Sequence, residues 1–398
     1  MSVISASLSP NAQADDVIRA LGLLCTPWQW KQGDAIRRSE AWFERQYNGA
    51  TAVSFNSGRS ALLALLWAFG IGKGDEVIIQ AFTCVAVPNS VRWRGAVTRY
   101  ADIDKTYNLD PDDLEKKITS KTKAVVVQHT FGVPARMGRI MEIIKKHKLI
   151  LIEDCAHSLG ASYEGKKVGS FGHGTFFSFG RDKVLSSVWG GMAVIGPECS
   201  AEGIRLKKYQ EELPMPGFFW IFQQLFHPVA FACILASYNV LGIGKVVLVL
   251  LQKLGLLSFP VYKEEKRGDR PPGFPARYPN ALAHLLVGQL AKLSAYNATR
   301  VQIARLYGKI RRGAVYLRFP LEVSNPTALR TAAKRNGILL GSWYHQVIDP
   351  AGTDKGKAGY TPGSCPNAER AAAHIINLPT RIGQAQAETI VRLIRLHS

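Results

Sequence analysis

Residues 151–183 read LIEDCAHSLGASYEGKKVGSFGHGTFFSFGRDK, and this stretch decides the fold. It begins inside an apolar run, Leu149–Glu153, that is too short for a typical helix and reads as a buried strand. A second run, Thr175–Phe179, reads as another strand. Asp154 follows the first run directly, while Ser178 and Lys183 stand at the end of the second. Three side chains of different chemistry are thus expected at strand ends of one sheet.

The same rhythm extends outward from Thr51 to about Gly196. Strands are expected at Ala52–Phe55, Glu76–Ile79, Val97–Tyr100, Ala124–Gln128 and Gly191–Ile195. Helices are expected between them at Ser60–Phe69, Val85–Arg94, Pro111–Ile118 and Met137–His147. Strands alternating with helices imply an α/β fold with a mostly parallel sheet flanked by helices, whose chemistry gathers at the strands' carboxyl ends.

The pattern changes after Glu212. From Leu213 to Gly244 there is no Asp, Glu, Lys or Arg, and Val246–Leu251 continues the apolar run. Gly217, Pro228, Gly242 and Gly244 interrupt it, so two shorter helical pieces at a bilayer interface are expected rather than one straight span. An arm buried in an oligomer is the alternative. The organisation expected is a large domain over 1–200, an apolar insertion over 201–272 and a smaller α+β C-terminal domain over 273–398.

Composition narrows the function classes. The 398 residues include 50 Lys+Arg against 30 Asp+Glu, a net charge of +20, which favours anionic partners. The six cysteines are scattered without a CxxC pair, so neither a metal cage nor a disulfide framework is expected. Basic and aromatic residues do not interleave as in a single-strand-binding surface, so no nucleic acid is expected as partner. Met1–Asp16 lacks the basic start and apolar core of a signal peptide, which points to the cytoplasm.

The strand-end residues match what pyridoxal chemistry requires: a lysine for a Schiff base, a carboxylate for the pyridine nitrogen, and small or hydroxyl residues at a helix start for a phosphate. Lys183, Asp154 and Ser178 supply the first two and part of the third, and Asn56-Ser57-Gly58-Arg59-Ser60 stands between a strand and a helix. Each also has an ordinary reading as a solvated lysine, a helix cap or a turn. All of them in this order on strand ends is the unusual observation.

The segments FNSGRSALLAL, GIGKGDEVIIQAFTCVAVPNSV, HTFGVPARM, the opening stretch and GGMAVI together resemble the DegT/DnrJ/EryC1/StrS family of sugar aminotransferases. The resemblance implies the type I pyridoxal-phosphate transferase fold and pyridoxal 5′-phosphate as cofactor. It implies Lys183 as the Schiff-base lysine, Asp154 as the pyridine partner and His157 beside the ring's oxygen. Gly58, Arg59, Ser60 and Ser178 would receive the phosphate, with Arg59 as a charged clamp in place of the family's threonine. Cys84 stands where an aromatic normally stacks on the ring, which leaves Phe82 as a substitute. Pro275 stands near the place where the family lends an asparagine to the neighbouring subunit's phosphate; that asparagine is missing here, with Asn280 as a substitute. Trp343-Tyr344-His345 is a candidate for substrate reading.

The implied reaction carries an amino group from glutamate to a keto-sugar, nucleotide-linked or lipid-linked, for cell-surface polysaccharide or glycoconjugates. The implied assembly is a homodimer, and the apolar stretch 213–257 suggests contact with the inner face of the cytoplasmic membrane. A sugar dehydratase of the same fold, or a non-catalytic membrane-associated sensor, is the alternative; retention of Lys183 argues against both.

Overall fold

A computed structural model describes residues 4–238 and 242–396 of the chain. Residues 239–241 of the apolar stretch lie outside the described residues. Seven strands form the central sheet: β1 (Thr51–Phe55), β2 (Glu76–Gln80), β3 (Val97–Ala101), β4 (Thr122–Gln128), β5 (Ile150–Asp154), β6 (Gly174–Ser178) and β7 (Gly191–Ile195). Their order is β1-β7-β6-β5-β4-β2-β3. Only β7 runs antiparallel to its neighbours, so the other six carboxyl ends share one edge. The seven strands expected from the sequence are these seven, displaced by no more than a residue or two.

The helices that position the site are α1 (Ala14–Leu24), α2 (Asp34–Gln46), α3 (Gly58–Ala68) and α4 (Ala86–Trp93). Nine of the eleven residues of α3 are buried, because it sits between the sheet and its neighbouring helices. Ser57 starts it two residues earlier than the apolar pattern suggests, its Oγ accepting the Ser60 N–H at 3.2 Å. Each core leucine or isoleucine here contributes about 1.5–3 kcal/mol by leaving water.

The apolar insertion departs from expectation in one respect. Beyond α5 (Ser200–Glu212), α6 (Phe218–Ser237) is a single 20-residue helix with Pro228 inside it. The proline forfeits one backbone bond, but α6 packs against α1, α7 (Ile243–Lys253) and α8 (Asn280–Leu290), and that packing outweighs the loss. By length and composition α6 could cross a membrane, yet it is partly buried within the protein. After α8, the C-terminal part pairs β8 (Arg318–Glu322) with β9 (Ile375–Pro379) and closes with α9 (Gln384–Arg395).

Candidate active site

Sheet register brings the predicted residues together. Gln128 at the end of β4 pairs with Asp154 at the end of β5, and Asp154 pairs with Phe176 of β6. Ser178 lies opposite Gly191, which in turn faces Phe55 before the start of α3. A Cβ on Gly58 would stand 2.8 Å from that of Ser178, so only glycine lets the helix start and the strand end meet. Gly58, Ser178, Asp154, His157, Lys183 and Trp343 all line one cavity of about 350 Å³.

Lys183 is fixed from its backbone, its carbonyl accepting the Asn11 side-chain N–H at 2.6 Å. Its Nζ lies 3.0 Å from His157 Nε2 and 4.6 Å from the centre of the Trp343 ring. Burial, aided by Lys183 and Arg318, holds the His157 pKa well below the usual histidine range, so the ring is neutral at physiological pH. The Phe131 N–H donates to His157 Nδ1 at 3.3 Å. The ring proton therefore belongs on Nε2, which faces Lys183 Nζ at 3.0 Å and the Tyr344 hydroxyl at 3.4 Å, an assignment that rests on the hydrogen-bond network. Burial also lowers the Lys183 pKa, against the pull of Asp182, Cys84 and Asp154. Desolvation thus favours the neutral, nucleophilic form of the lysine.

Asp154 accepts one hydrogen bond, from the Ala156 N–H to Oδ1 at 3.0 Å. Burial pushes its pKa up to about 6, opposed by that N–H, Lys183 and His129. A carboxyl held this way gains from a cationic N–H partner in the cavity.

Several expected roles change. The Arg59 guanidinium is paired with the fully buried Glu265, donates to the Pro260 carbonyl at 2.7 Å and lies over Trp189, so its charge is already neutralised. Ser60 does not line the cavity; its hydroxyl donates to Asn56 Oδ1 at 2.7 Å inside the first turn of α3. Phe82 is enclosed by Tyr107, Phe131 and Tyr344 and does not reach the cavity. Cys84 does line it, as a thiol whose pKa burial raises. Of the aromatics on the cavity wall, Trp343 stacks on His157 at 5.1 Å and 13° and has Lys183 Nζ over its ring. Asn280 is buried and committed to the start of α2, accepting from the Ala35 N–H and donating to the Gln29 carbonyl. Tyr344 also lines the cavity, whereas His345 turns to Asp349 at 2.8 Å.

The model of the DegT/DnrJ/EryC1/StrS aminotransferase family matches residues 13–395. The chain belongs to that family. It is 38% identical over 172 residues to a GDP-perosamine synthase of Escherichia coli O157:H7, an alignment covering 43% of this chain and 47% of the relative. It is 44% identical over 189 residues to an L-glutamine:2-deoxy-scyllo-inosose aminotransferase of Streptomyces kanamyceticus, covering 46% of this chain and 44% of the relative. The chain spans about half the length of these curated relatives. The crystal structure of DesV from S. venezuelae superposes with a TM-score of 0.71 at 26% identity, covering 96% of this chain and 94% of that one. The type I fold expected from the sequence is therefore the observed one.

Two contributors within this family member were invisible in the sequence. Arg318, on β8, is fully buried, pairs with Asp182 at 3.0 Å and lies 3.5 Å from the Trp343 ring centre. Phe259, Pro260 and Val261, at the return of the apolar insertion, line the cavity as well. Neither has a local motif, and both reach the site only through tertiary packing.

Proposed function

We propose that this protein is a pyridoxal 5′-phosphate-dependent aminotransferase that moves an amino group from glutamate to a keto-sugar, nucleotide-linked, for cell-surface polysaccharide or glycoconjugates. The Lys183–His157 pair is the observation that carries this reading, because it sets a desolvated amine beside a neutral histidine on the cavity wall. The residues suit the cofactor at both ends. Asp154 offers a carboxylate that burial leaves short of partners, and the glycine-only junction of Gly58 with Ser178 offers a helix start and a hydroxyl for a phosphate. When bound, the cofactor supplies an electron sink for bonds at the donor and sugar carbons.

Lys183 would hold the cofactor covalently and then carry a proton to and from the reacting carbon. Asp154 would keep the ring nitrogen protonated, and His157 would orient Lys183 Nζ. Trp343 would exclude water from one wall. In this reading residues 1–200 hold the cofactor, 201–272 supply a wall and a docking face, and 273–398 cover the substrate side. The test is an absorption spectrum of the protein with the cofactor, beside Lys183→Ala, before and after glutamate. A visible band absent in the variant and bleached by glutamate is expected; no band with cofactor present would overturn the reading.

We also infer a homodimer in the cytoplasm, in peripheral contact with the inner membrane face. Val246 and Leu250 stand on one exposed face of α7, at 67% and 52% exposure, Leu254 just past its end is 61% exposed, and Phe218 and Phe219 at the start of α6 are exposed as well. No acidic residue occurs between Leu213 and Lys263, which suits an anionic lipid surface. The full chain is expected to float with phosphatidylglycerol vesicles and Val246→Glu/Leu250→Glu to remain behind. Equal behaviour of the two proteins would refute the contact.

A further inference from the structure

Besides Lys183, two side-chain cations on the cavity wall, Arg181 and Lys266, form no ion pair with a carboxylate among the described residues, and Lys266 turns its ammonium to the Ala351 carbonyl at 2.9 Å. Arg59 is spent on Glu265, and Asp182 turns to Arg318. Arg181, three residues beyond Ser178 and on the same cavity wall, donates through Nη2 to the Ser258 hydroxyl. Its Nε is out of solvent and has no partner. Among the described residues no carboxylate forms an ion pair with it. Burial lowers its pKa to about 10, so it stays protonated at neutral pH.

Ser258 is itself fully engaged. It donates to Gln224 Oε1 at 2.8 Å and accepts from Trp189 Nε1 at 3.2 Å as well as from Arg181. Gln224 belongs to α6, and its side-chain amide donates to the Trp220 carbonyl at 2.9 Å. The apolar insertion thus grips Arg181 by a hydroxyl and leaves its charge for something else. A guanidinium partly removed from water, without a counter-charge, is costly unless an anion arrives, and its planar donors match phosphoryl oxygens. The anion would find Ser178 and the N–H groups heading α3 on the same wall.

We propose that Arg181, held by Ser258 of the insertion, is the cationic part of a phosphoryl-binding site at the α3 end of the cavity, completed within one chain. The inference rests on the reading of the cavity given above. Two sources of the group share this chemistry: the cofactor's phosphate and the diphosphate of a nucleotide-linked sugar.

The experiment uses the full chain beside Arg181→Met and Ser258→Ala. In cofactor-free protein, inorganic phosphate is expected to raise the melting temperature of the wild type and not of Arg181→Met. The variant itself should melt no lower in phosphate-free buffer, because an unpaired charge has gone. Ser258→Ala should show a reduced phosphate response, and it serves if Arg181→Met does not fold. If the cofactor's phosphate is the ligand, Arg181→Met weakens pyridoxal 5′-phosphate binding by about 10- to 100-fold and leaves pyridoxal unchanged. If the substrate's is, uridine diphosphate binding to the cofactor-loaded protein falls by that factor instead. Equal responses of wild type and Arg181→Met to phosphate, cofactor and uridine diphosphate would overturn the proposal. A missing visible band alongside an Arg181-dependent phosphate response would sink the aminotransferase reading but keep this site.

Discussion

Two clusters of buried ionisable side chains sit on opposite faces of β5, and they differ in how many hydrogen bonds are left over. Successive strand residues point to opposite faces, so Glu153 and Asp154 enter different environments. Behind the sheet, Glu153 accepts N–H bonds from Gly169, Phe171 and Gly172 at 2.7–2.8 Å, and it also takes the His129 Nε2 proton at 3.1 Å. His129 Nδ1 accepts from the Ala135 N–H, which assigns that tautomer. His129, Glu153 and Cys155 offer ligand atoms within 4.8 Å of one another, a spacing that would suit a metal. Both carboxylate oxygens and both ring nitrogens are already engaged, however, and burial pushes the Cys155 thiol well above its usual range. That cluster braces the sheet. In front, Asp154 has one N–H bond and the desolvated Lys183 amine faces a neutral histidine. Complete satisfaction marks the brace, and incomplete satisfaction marks the chemistry.

The comparison breaks first at Glu153. Glu153→Ala leaves three backbone N–H groups and His129 without an acceptor, which should cost about 3–5 kcal/mol. The loss is read as a lower urea midpoint; an unchanged midpoint would mean that the cluster braces nothing.

Asp154 should behave in the opposite way. Its folded pKa of about 6 lies above the ordinary 3.8, so the fold favours the protonated acid. That contribution is complete below about pH 4 and is lost as pH rises through 6, about 3 kcal/mol in all. Cofactor-free Asp154→Asn should therefore match the wild type near pH 4 and be the more stable protein at pH 7–8. Denaturation curves at both pH values check this, and a variant less stable at neutral pH would show that Asp154 is as well satisfied as Glu153.

His157→Gln keeps a donor toward Lys183 and should cost least, about tenfold in turnover, or 1.4 kcal/mol. The pH profile is the sharper readout, because its acidic limb should move if the ring proton poises the lysine. A lower rate with an unmoved profile would leave His157 as packing only.

Most of the fold was legible because each strand is a short apolar run punctuated by turns, and the sheet follows from their alternation with helices. The gathering of Lys183, Asp154 and Ser178 at one cavity was legible because they stand at strand ends in one order, and that of His157 through the family resemblance. Arg59 was misread because Glu265 lies about two hundred positions away, and no local pattern announces a buried partner. Phe82 and Trp343 illustrate the same limit: which aromatic reaches the cavity depends on the loop between β8 and β9, not on position in a motif. Pro228 reads as a breaker in sequence, yet neighbouring helices hold α6 through it.

The sequence by itself determined which residues stand at the strand ends, among them Lys183, and the family, since those depend on residue types at short spacings along the chain. Only the tertiary structure decided which charges are spent and which are free. Arg59 meets Glu265, Arg318 meets Asp182, and Arg181 meets a serine and, among the described residues, no carboxylate, because a charge is neutralised by its neighbours in space, whatever their distance along the chain.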